Sequence, residues 1–100
     1  YVSGTVTEAS SITLKENVSP ITDALGIVSQ LQGCVYDRKD GTSFNEPGLI
    51  AEQVDSILSS IVFYDEQGNP KGVKYTKLIP YLIESIKQLN QQIKDLTSKE

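Results

Sequence analysis

Histidine is absent from the 100-residue sequence, and cysteine occurs once, as Cys34. Without histidine, Ser-His-Asp and Cys-His catalytic arrangements and histidine-ligated zinc sites are excluded. A single cysteine cannot form a disulfide within the chain, and its apolar neighbour Val35 predicts a small buried side chain. A glycine-rich phosphate loop is also missing. We therefore assign no metal and no cofactor, including no nucleotide.

Long apolar runs and clustered positive charge are missing as well. No segment approaches the ~18 consecutive apolar residues that a membrane-spanning helix needs. Thirteen acidic and nine basic residues give a formal net charge of −4, with no run of like charge longer than two residues. The sequence therefore has no basic stripe for phosphate binding, and we expect neither a membrane nor a nucleic acid as partner.

The length and composition predict one domain that associates with other chains. The hydrophobic share of 38% is low for a globular domain. A chain of this size buries only roughly two-thirds of its unfolded surface, so partner chains can supply part of the missing burial. Because the sequence does not begin with methionine, we expect a piece of a longer protein.

The first half of the chain predicts one strand, one helix and a second short strand. Residues 1–7 are rich in β-forming side chains and predict the end of a strand. Ser19-Pro20 is typical of a helix start, and the apolar spacing that follows predicts a helix over about 20–32, ended by Gly33. Residues 34–36 predict a short strand, followed by a turn at Asp40-Gly41 and a loop over 42–48.

The middle of the chain predicts a helix and a hairpin. Residues 49–58 have helical apolar spacing, although Leu49-Ile50 can equally finish a strand before a shorter helix. Residues 61–64 and 72–75 flank a turn-rich segment and predict a β-hairpin.

The last helix carries the clearest periodic signal. We expect it over about 76–97, with Thr76 as its cap and Pro80 in or near its first turn. Six apolar residues recur at spacings of three, four, three, four and three, and we call them the seam: Ile79, Leu82, Ile86, Leu89, Ile93 and Leu96. Isoleucine at a and leucine at d of a heptad favours parallel dimers. Because the seam covers fewer than three heptads, an ordinary amphipathic helix is the alternative.

Ser10 and Lys15 are the residues that can carry chemistry. In a chain without histidine, an uncharged lysine can take the proton from a serine hydroxyl and activate it as a nucleophile. A serine five residues before a lysine is common by chance, however. The spacing alone therefore favours a solvated Lys15 and a capping or turn-forming Ser10 over catalysis.

The residues around this pair resemble a known family motif. Residues 10–21, SSITLKENVSPI, are similar to S-D-x-x-L-K-x-N-I-x-P-I, the opening motif of the self-cleaving intramolecular chaperones. These are the C-terminal domains of endosialidase tailspikes, phage tail fibres and neck appendages, with a relative in the myelin regulatory factor proteins. Four later blocks of the family are matched in order, at 23–25, at 31–33 with Tyr36 following, at 48–54 and at 73–87.

The resemblance implies a fold and a partner. The fold would be α+β and mainly helical, with short strands or a hairpin and a long C-terminal helix in a trimeric coiled-coil-like bundle. Residues 1–9 would end an upstream β-rich fibre or spike stalk, and residues 10–100 would form the chaperone domain. The chain would assemble as a homotrimer and help that fibre to trimerise and fold, in the host cytoplasm during virion assembly, and the released fibre would remain in the tail or appendage.

The resemblance also implies a reaction. The chain would be a single-turnover, self-cleaving serine peptidase with a Ser-Lys dyad. It would cut the bond between Ala9 and Ser10, with Ser10 as the nucleophile and Lys15 as the general base. Asn17 also matches the motif, in a structural role. Whether the lysine acts within its own chain or on a neighbour's bond is open, as are the oxyanion donors.

The sequence departs from the motif in two ways. Ser11 stands where the family usually has aspartate, and it can supply a substitute hydrogen bond or act as a rival nucleophile. Ile12 and Thr13 stand where the motif frequently has arginine. Another class of function, a non-catalytic trimerisation foldon that stays attached, needs only the seam. A binding module at a fibre tip is disfavoured because we expect the aromatic residues to pack internally: Phe44, Tyr64, Tyr75 and Tyr81.

Overall fold

The computed structural model describes residues 7–98 and confirms the predicted α+β class. Two short helices and two antiparallel hairpins precede one long helix. The elements in chain order are α1 Ala24–Val28, β1 Cys34–Tyr36, β2 Glu46–Gly48, α2 Ala51–Asp55, β3 Val62–Tyr64, β4 Pro70–Val73 and α3 Tyr75–Thr97, with 3-10 turns at Ile12–Leu14 and Ser59–Ile61. The strand predicted over 1–7 lies, apart from Thr7, outside the described residues.

Helix α1 is much shorter than the predicted helix over 20–32. Asp23 takes a left-handed conformation with φ 54°, which interrupts the helical path and makes Ala24 the first helical residue. The prediction that Ser19-Pro20 starts the helix is therefore wrong. The amide of Leu25 instead donates to Gln88 Oε1 of α3 at 2.8 Å, so a residue 63 positions away satisfies the first turn of α1.

The packing of α1 on α3 uses small side chains. Ala24 on α1 and Ser85 on α3 are both buried, and the Ser85 hydroxyl donates to the Tyr81 carbonyl within α3 at 2.7 Å. A Cβ at Gly26 would lie 2.5 Å from a carboxylate oxygen of Asp23, which explains a glycine in a helix interior. Tertiary contacts therefore hold α1 in place, as its glycine content predicts.

Strands β1 and β2 form the first hairpin. The predicted strand at 34–36 is confirmed, but the prediction that all of 42–48 is loop is wrong, because Glu46–Gly48 pair with β1. Proline and glycine are poor strand formers, and a two-stranded sheet tolerates them because each strand has a free edge. Cys34 is half-buried instead of buried, and its thiol donates to the Gly48 carbonyl at 3.3 Å.

The second hairpin, β3–β4, confirms the predicted hairpin with shifted bounds: Ile61 belongs to the preceding 3-10 turn, and the second strand covers 70–73 instead of 72–75. Val62 pairs with Val73, and Gly68 in the connecting turn has a φ of 84°, where glycine has no steric penalty. The Asp65 carboxylate accepts hydrogen bonds from the amides of Gln67 and Asn69. The strand ends at Val73, so Tyr75 opens α3 instead of closing the hairpin.

The core lies between α2, the second hairpin and the start of α3. Val54, Ile61 and Val62 are buried at its centre, and five half-buried residues pack against them: Leu31, Leu49, Leu58, Val73 and Leu78. Leu49 and Ile50 lie between β2 and α2, so the shorter helix was the better of the two predictions for 49–58.

Helix α3 confirms the predicted long helix to within one residue at its start. Its N-cap position is Lys74, so the prediction that Thr76 caps the helix is wrong. Pro80 is the sixth residue, in the second turn, where it removes one backbone hydrogen bond. Within residues 7–98, no helix is long and apolar enough to cross a membrane.

The four aromatic residues expected to pack have different surroundings. Tyr81 is half-buried, whereas Phe44 is exposed in the single chain, contrary to the prediction. The hydroxyl of Tyr64 donates to Asp55, and that of Tyr75 accepts from the Leu49 amide at 2.8 Å, although both side chains remain partly exposed.

Candidate active site

The two predicted catalytic residues lie in direct contact. Lys15 Nζ donates a hydrogen bond to Ser10 Oγ at 2.7 Å. The 3-10 turn at Ile12–Leu14 makes this contact possible, because it reverses the chain between the two residues. Two backbone bonds close the turn, from the Leu14 amide to the Ser11 carbonyl at 3.0 Å and from the Lys15 amide to the Ile12 carbonyl at 3.1 Å. The side chains of Ser10 and Lys15, five positions apart in the sequence, therefore lie within hydrogen-bond distance of each other.

The peptide bond between Ala9 and Ser10 lies on an exposed segment beside the start of α3. Ala9 and Ser10 are both exposed. Glu8, one residue before this bond, forms an ion pair with Lys77 in the first turn of α3 at 3.8 Å. A single exposed ion pair contributes little stability, roughly 0–1 kcal/mol. It nevertheless places the segment that would be cut next to the helix that carries the seam.

Asn17 lies two residues after Lys15, on the segment that leads to α1. Asn17 has a φ of 55°, in the left-handed region that asparagine tolerates better than most residues. This conformation supports the structural role that the motif resemblance implies for Asn17. Pro20 and Ile21 then line a shallow groove together with Pro80 and Ile83 of α3, so the segment after the dyad follows the same helix.

Apolar side chains around the dyad and along α3 are exposed. Ile12, Leu14 and Val18, on the segment that carries the dyad, are each more than two-thirds exposed. The six seam residues are between 40 and 66% exposed. The heptad spacing of the sequence identified the seam. It gave no signal for the three apolar residues beside Ser10 and Lys15, because their exposure depends on the position of the short 3-10 turn outside the core.

A separate cluster of polar side chains holds the first hairpin together. The Glu46 carboxylate accepts hydrogen bonds from the Arg38 guanidinium at 2.9 and 3.0 Å and from the hydroxyls of Ser43 and Tyr36, both at 2.7 Å. The Arg38 guanidinium, followed by the two hydroxyls, lowers the pKa of Glu46 to about 2. The same bond to Glu46 raises the pKa of Tyr36.

Sequence reasoning missed this cluster because it depends on the pairing of Tyr36 with Glu46 across the hairpin. Among residues 7–98, no group of three or more cysteine, aspartate or glutamate side chains is arranged to hold a metal ion.

Comparison with known families agrees with the motif. Residues 10–63 match the family model described as the chaperone of endosialidase, whose name is that of a peptidase family. The match covers more than half of the chain and begins at Ser10. The chain therefore belongs to the endosialidase chaperone family, and the family prediction made from the motif is confirmed.

Two relatives show where such a domain occurs. The chain is 34% identical over 97 residues to the long tail fiber protein Gp37 of Enterobacteria phage K3, and equally identical to that of Enterobacteria phage T2. Each alignment covers 90% of this chain but only 8% and 7% of the respective fibre proteins. The chain thus spans less than a tenth of the length of these relatives.

Proposed function

We propose that this chain is the C-terminal chaperone of a phage tail fibre, tail spike or neck appendage. It promotes trimerisation and folding of an upstream β-rich fibre and then releases itself by autoproteolysis between Ala9 and Ser10. Residues 1–9 end the fibre stalk, and residues 10–100 form the chaperone domain. The observation that carries the proposal is the 2.7 Å contact between Lys15 Nζ and Ser10 Oγ in a member of this family.

The reaction is an acyl shift followed by hydrolysis. The uncharged amine of Lys15 takes the hydroxyl proton of Ser10, and the Ser10 oxygen attacks the carbonyl carbon of Ala9. The bond from that carbon to the Ser10 nitrogen breaks, the nitrogen receives the proton from Lys15, and an ester joins Ala9 to Ser10 Oγ. Water then opens the ester, giving a carboxylate at Ala9 and a free amine and hydroxyl at Ser10. The contact within one chain supports a lysine that acts on the serine of its own chain.

Assembly with neighbouring chains provides the burial and the alignment that Ser10 and Lys15 lack in the single chain. Ser10 and Lys15 are exposed to water, and a charged ammonium cannot take a proton. Neighbouring chains that cover the dyad favour the uncharged amine, because burial penalises the charged form. They also press the hydroxyl against the carbonyl, and holding reacting groups in place is worth ~7–11 kcal/mol of barrier in well-oriented systems. Cleavage then occurs in assembled chains.

The seam of α3 is the surface through which three copies associate. Its apolar side chains are exposed along one stripe of a 23-residue helix, and a narrow apolar stripe suits packing of helix against helix. Association of three seams holds three upstream chains in register, which lowers the entropic cost of starting a trimeric fibre. Self-release then leaves a fibre whose stability is kinetic. These steps take place in the host cytoplasm during virion assembly, and the fibre remains in the virion.

The test uses a longer form of the chain that includes its upstream fibre. We expect the wild type to give two fragments that meet at Ala9-Ser10, measured by denaturing gel and mass spectrometry. Ser10→Ala should leave the chain intact, and Lys15→Ala should slow cleavage at least about 100-fold, the lower end of a general-base contribution. Lys39→Ala, which changes an exposed lysine elsewhere, should cleave like the wild type.

Two results would contradict the proposal in different ways. Cleavage of Lys15→Ala at the wild-type rate would remove this lysine from the mechanism. A wild type that assembles and stays intact would favour the alternative function, a non-catalytic trimerisation foldon, for which the exposed seam alone is sufficient.

A further inference from the structure

We infer that Ser11 is a positioning residue for self-cleavage, because its side chain caps the turn that holds Lys15 against Ser10. The inference rests on the proposed function and assigns one further residue to that reaction. Ser11 does not contact the reacting bond in this role; it acts through the conformation of the segment between the two dyad residues.

The geometry at Ser11 is that of a helix N-cap. Its backbone is extended, with φ −65° and ψ 144°, and its carbonyl accepts the first bond of the turn from the Leu14 amide at 3.0 Å. Its side-chain oxygen accepts from the Thr13 amide at 3.2 Å and shares a hydrogen bond of 2.8 Å with the Thr13 hydroxyl. Serine is among the preferred residues at an N-cap because it satisfies an amide that the helix leaves unpaired.

The cap matters because little else holds the turn. The three residues of the turn are exposed, so apolar burial in the single chain does not fix their conformation. Two backbone hydrogen bonds and the Ser11 side chain define the turn. If the turn opens, the five-residue segment extends and Lys15 moves away from Ser10. The fraction of chains with a preformed dyad therefore depends on the Ser11 cap.

The same contacts indicate that Ser11 is not the nucleophile. Its hydroxyl is engaged with Thr13, whereas Lys15 Nζ contacts the hydroxyl of Ser10. A nucleophile needs its base within hydrogen-bond reach, and among the two adjacent serines it is Ser10 that has this contact.

The experiment compares Ser11→Ala with Ser11→Asn in the longer form of the chain. Asparagine is as good an N-cap as serine, and its side-chain oxygen accepts the same bond without adding a charge beside Lys15. We expect Ser11→Ala to slow cleavage by roughly 2- to 30-fold, the range by which loss of an N-cap side chain shifts a helical equilibrium. Ser11→Asn should cleave within about 2-fold of the wild type. The measurements are the rate of fragment appearance, the fragment masses and the oligomeric state.

The outcomes separate this inference from the proposed function. Rescue by asparagine, with all variants equally assembled and the cut still after Ala9, supports the capping role. Wild-type cleavage of Ser11→Ala, equal slowing in both variants, or a cut after Ser10 would each overturn it. If Ser10→Ala and Lys15→Ala also cleave like the wild type, the proposed function fails; if they stay intact while Ser11→Ala is unaffected, only the positioning role fails.

Discussion

Replacing Ile86 with serine should weaken assembly of the chain while leaving its own fold intact. Ile86 lies in the middle of the seam and is 66% exposed in the single chain. Full burial of an isoleucine side chain is worth about 1.5–3 kcal/mol. The exposed two-thirds of Ile86 therefore corresponds to ~1–2 kcal/mol per chain and ~3–6 kcal/mol for three chains. This free energy lowers the association constant of a trimer by roughly 10²- to 10⁴-fold.

Sedimentation velocity over a concentration series measures this change directly. The matched control is Gln91→Ser, on the same helix but off the seam, where the side chain contacts Asp95 at 2.9 Å. We expect wild type and Gln91→Ser to sediment as trimers and Ile86→Ser to dissociate at concentrations at which they remain assembled. Far-ultraviolet circular dichroism at high concentration checks that the helix is retained. In the longer chain, cleavage of Ile86→Ser should become concentration-dependent, because the proposed reaction occurs in assembled chains.

Three results would contradict this prediction. If Ile86→Ser stays as fully assembled as Gln91→Ser, the seam is not the interface. A wild type that is monomeric at all concentrations would mean that the exposed stripe does not associate with copies of itself. A stable dimer would favour the association state that isoleucine at a and leucine at d predicts from periodicity alone.

Two further predictions concern the fold around the first hairpin. Gly48→Ala should destabilise the domain by about 1–3 kcal/mol in urea unfolding, because an added Cβ would lie 2.8 and 2.9 Å from the hydroxyls of Tyr36 and Tyr75. The control is Gly33→Ala, whose added Cβ has open space. Equal stability of the two variants would contradict the prediction. Glu46→Gln should make the melting temperature less sensitive to acid. The pKa of Glu46 is about 2 against an ordinary 4.5, so its carboxylate contributes stability above pH 4.5 that is lost as the pH falls through about 2. The melting temperatures of the wild type and of Glu46→Gln, measured above pH 4.5 and near pH 2, test this prediction. An equal pH dependence in the two proteins would show that the Glu46 carboxylate does not contribute to stability.

The replacement of the motif's aspartate by Ser11 acquires a physical explanation from the turn. Serine and aspartate both carry a side-chain oxygen that can cap a helical turn. The departure from the motif therefore preserves the acceptor next to the dyad while removing a negative charge. On the proposed mechanism, the function of position 11 is conformational.

Sequence reasoning succeeded where the signal was local. The long helix followed from the heptad spacing of the seam, and the second hairpin followed from β-forming residues on both sides of a turn with Gly68. The resemblance to the family motif pairs Ser10 with Lys15, and their side chains are in contact, although their catalytic role stays a prediction. A 3-10 turn of three residues is enough to bring them together.

Sequence reasoning failed where residues distant in the chain decide the structure. Helix α1 begins at Ala24 because Asp23 adopts a left-handed conformation and Gln88 of α3 accepts a hydrogen bond from the Leu25 amide. The residues of α1 themselves predict neither effect. Strand β2 contains proline and glycine and exists because β1 pairs with it.

Local signals in the sequence were sufficient to predict the long helix with its seam and the second hairpin, because periodicity and turn chemistry act within short segments. The pairing of Ser10 with Lys15 came from the resemblance to the family motif. The first residue of α1, the strand at Glu46–Gly48 and the exposure of the seam in one chain depend on tertiary contacts. Hydrogen-bond satisfaction and burial are shared between residues that are distant in the sequence, so they depend on which surfaces of the folded chain meet.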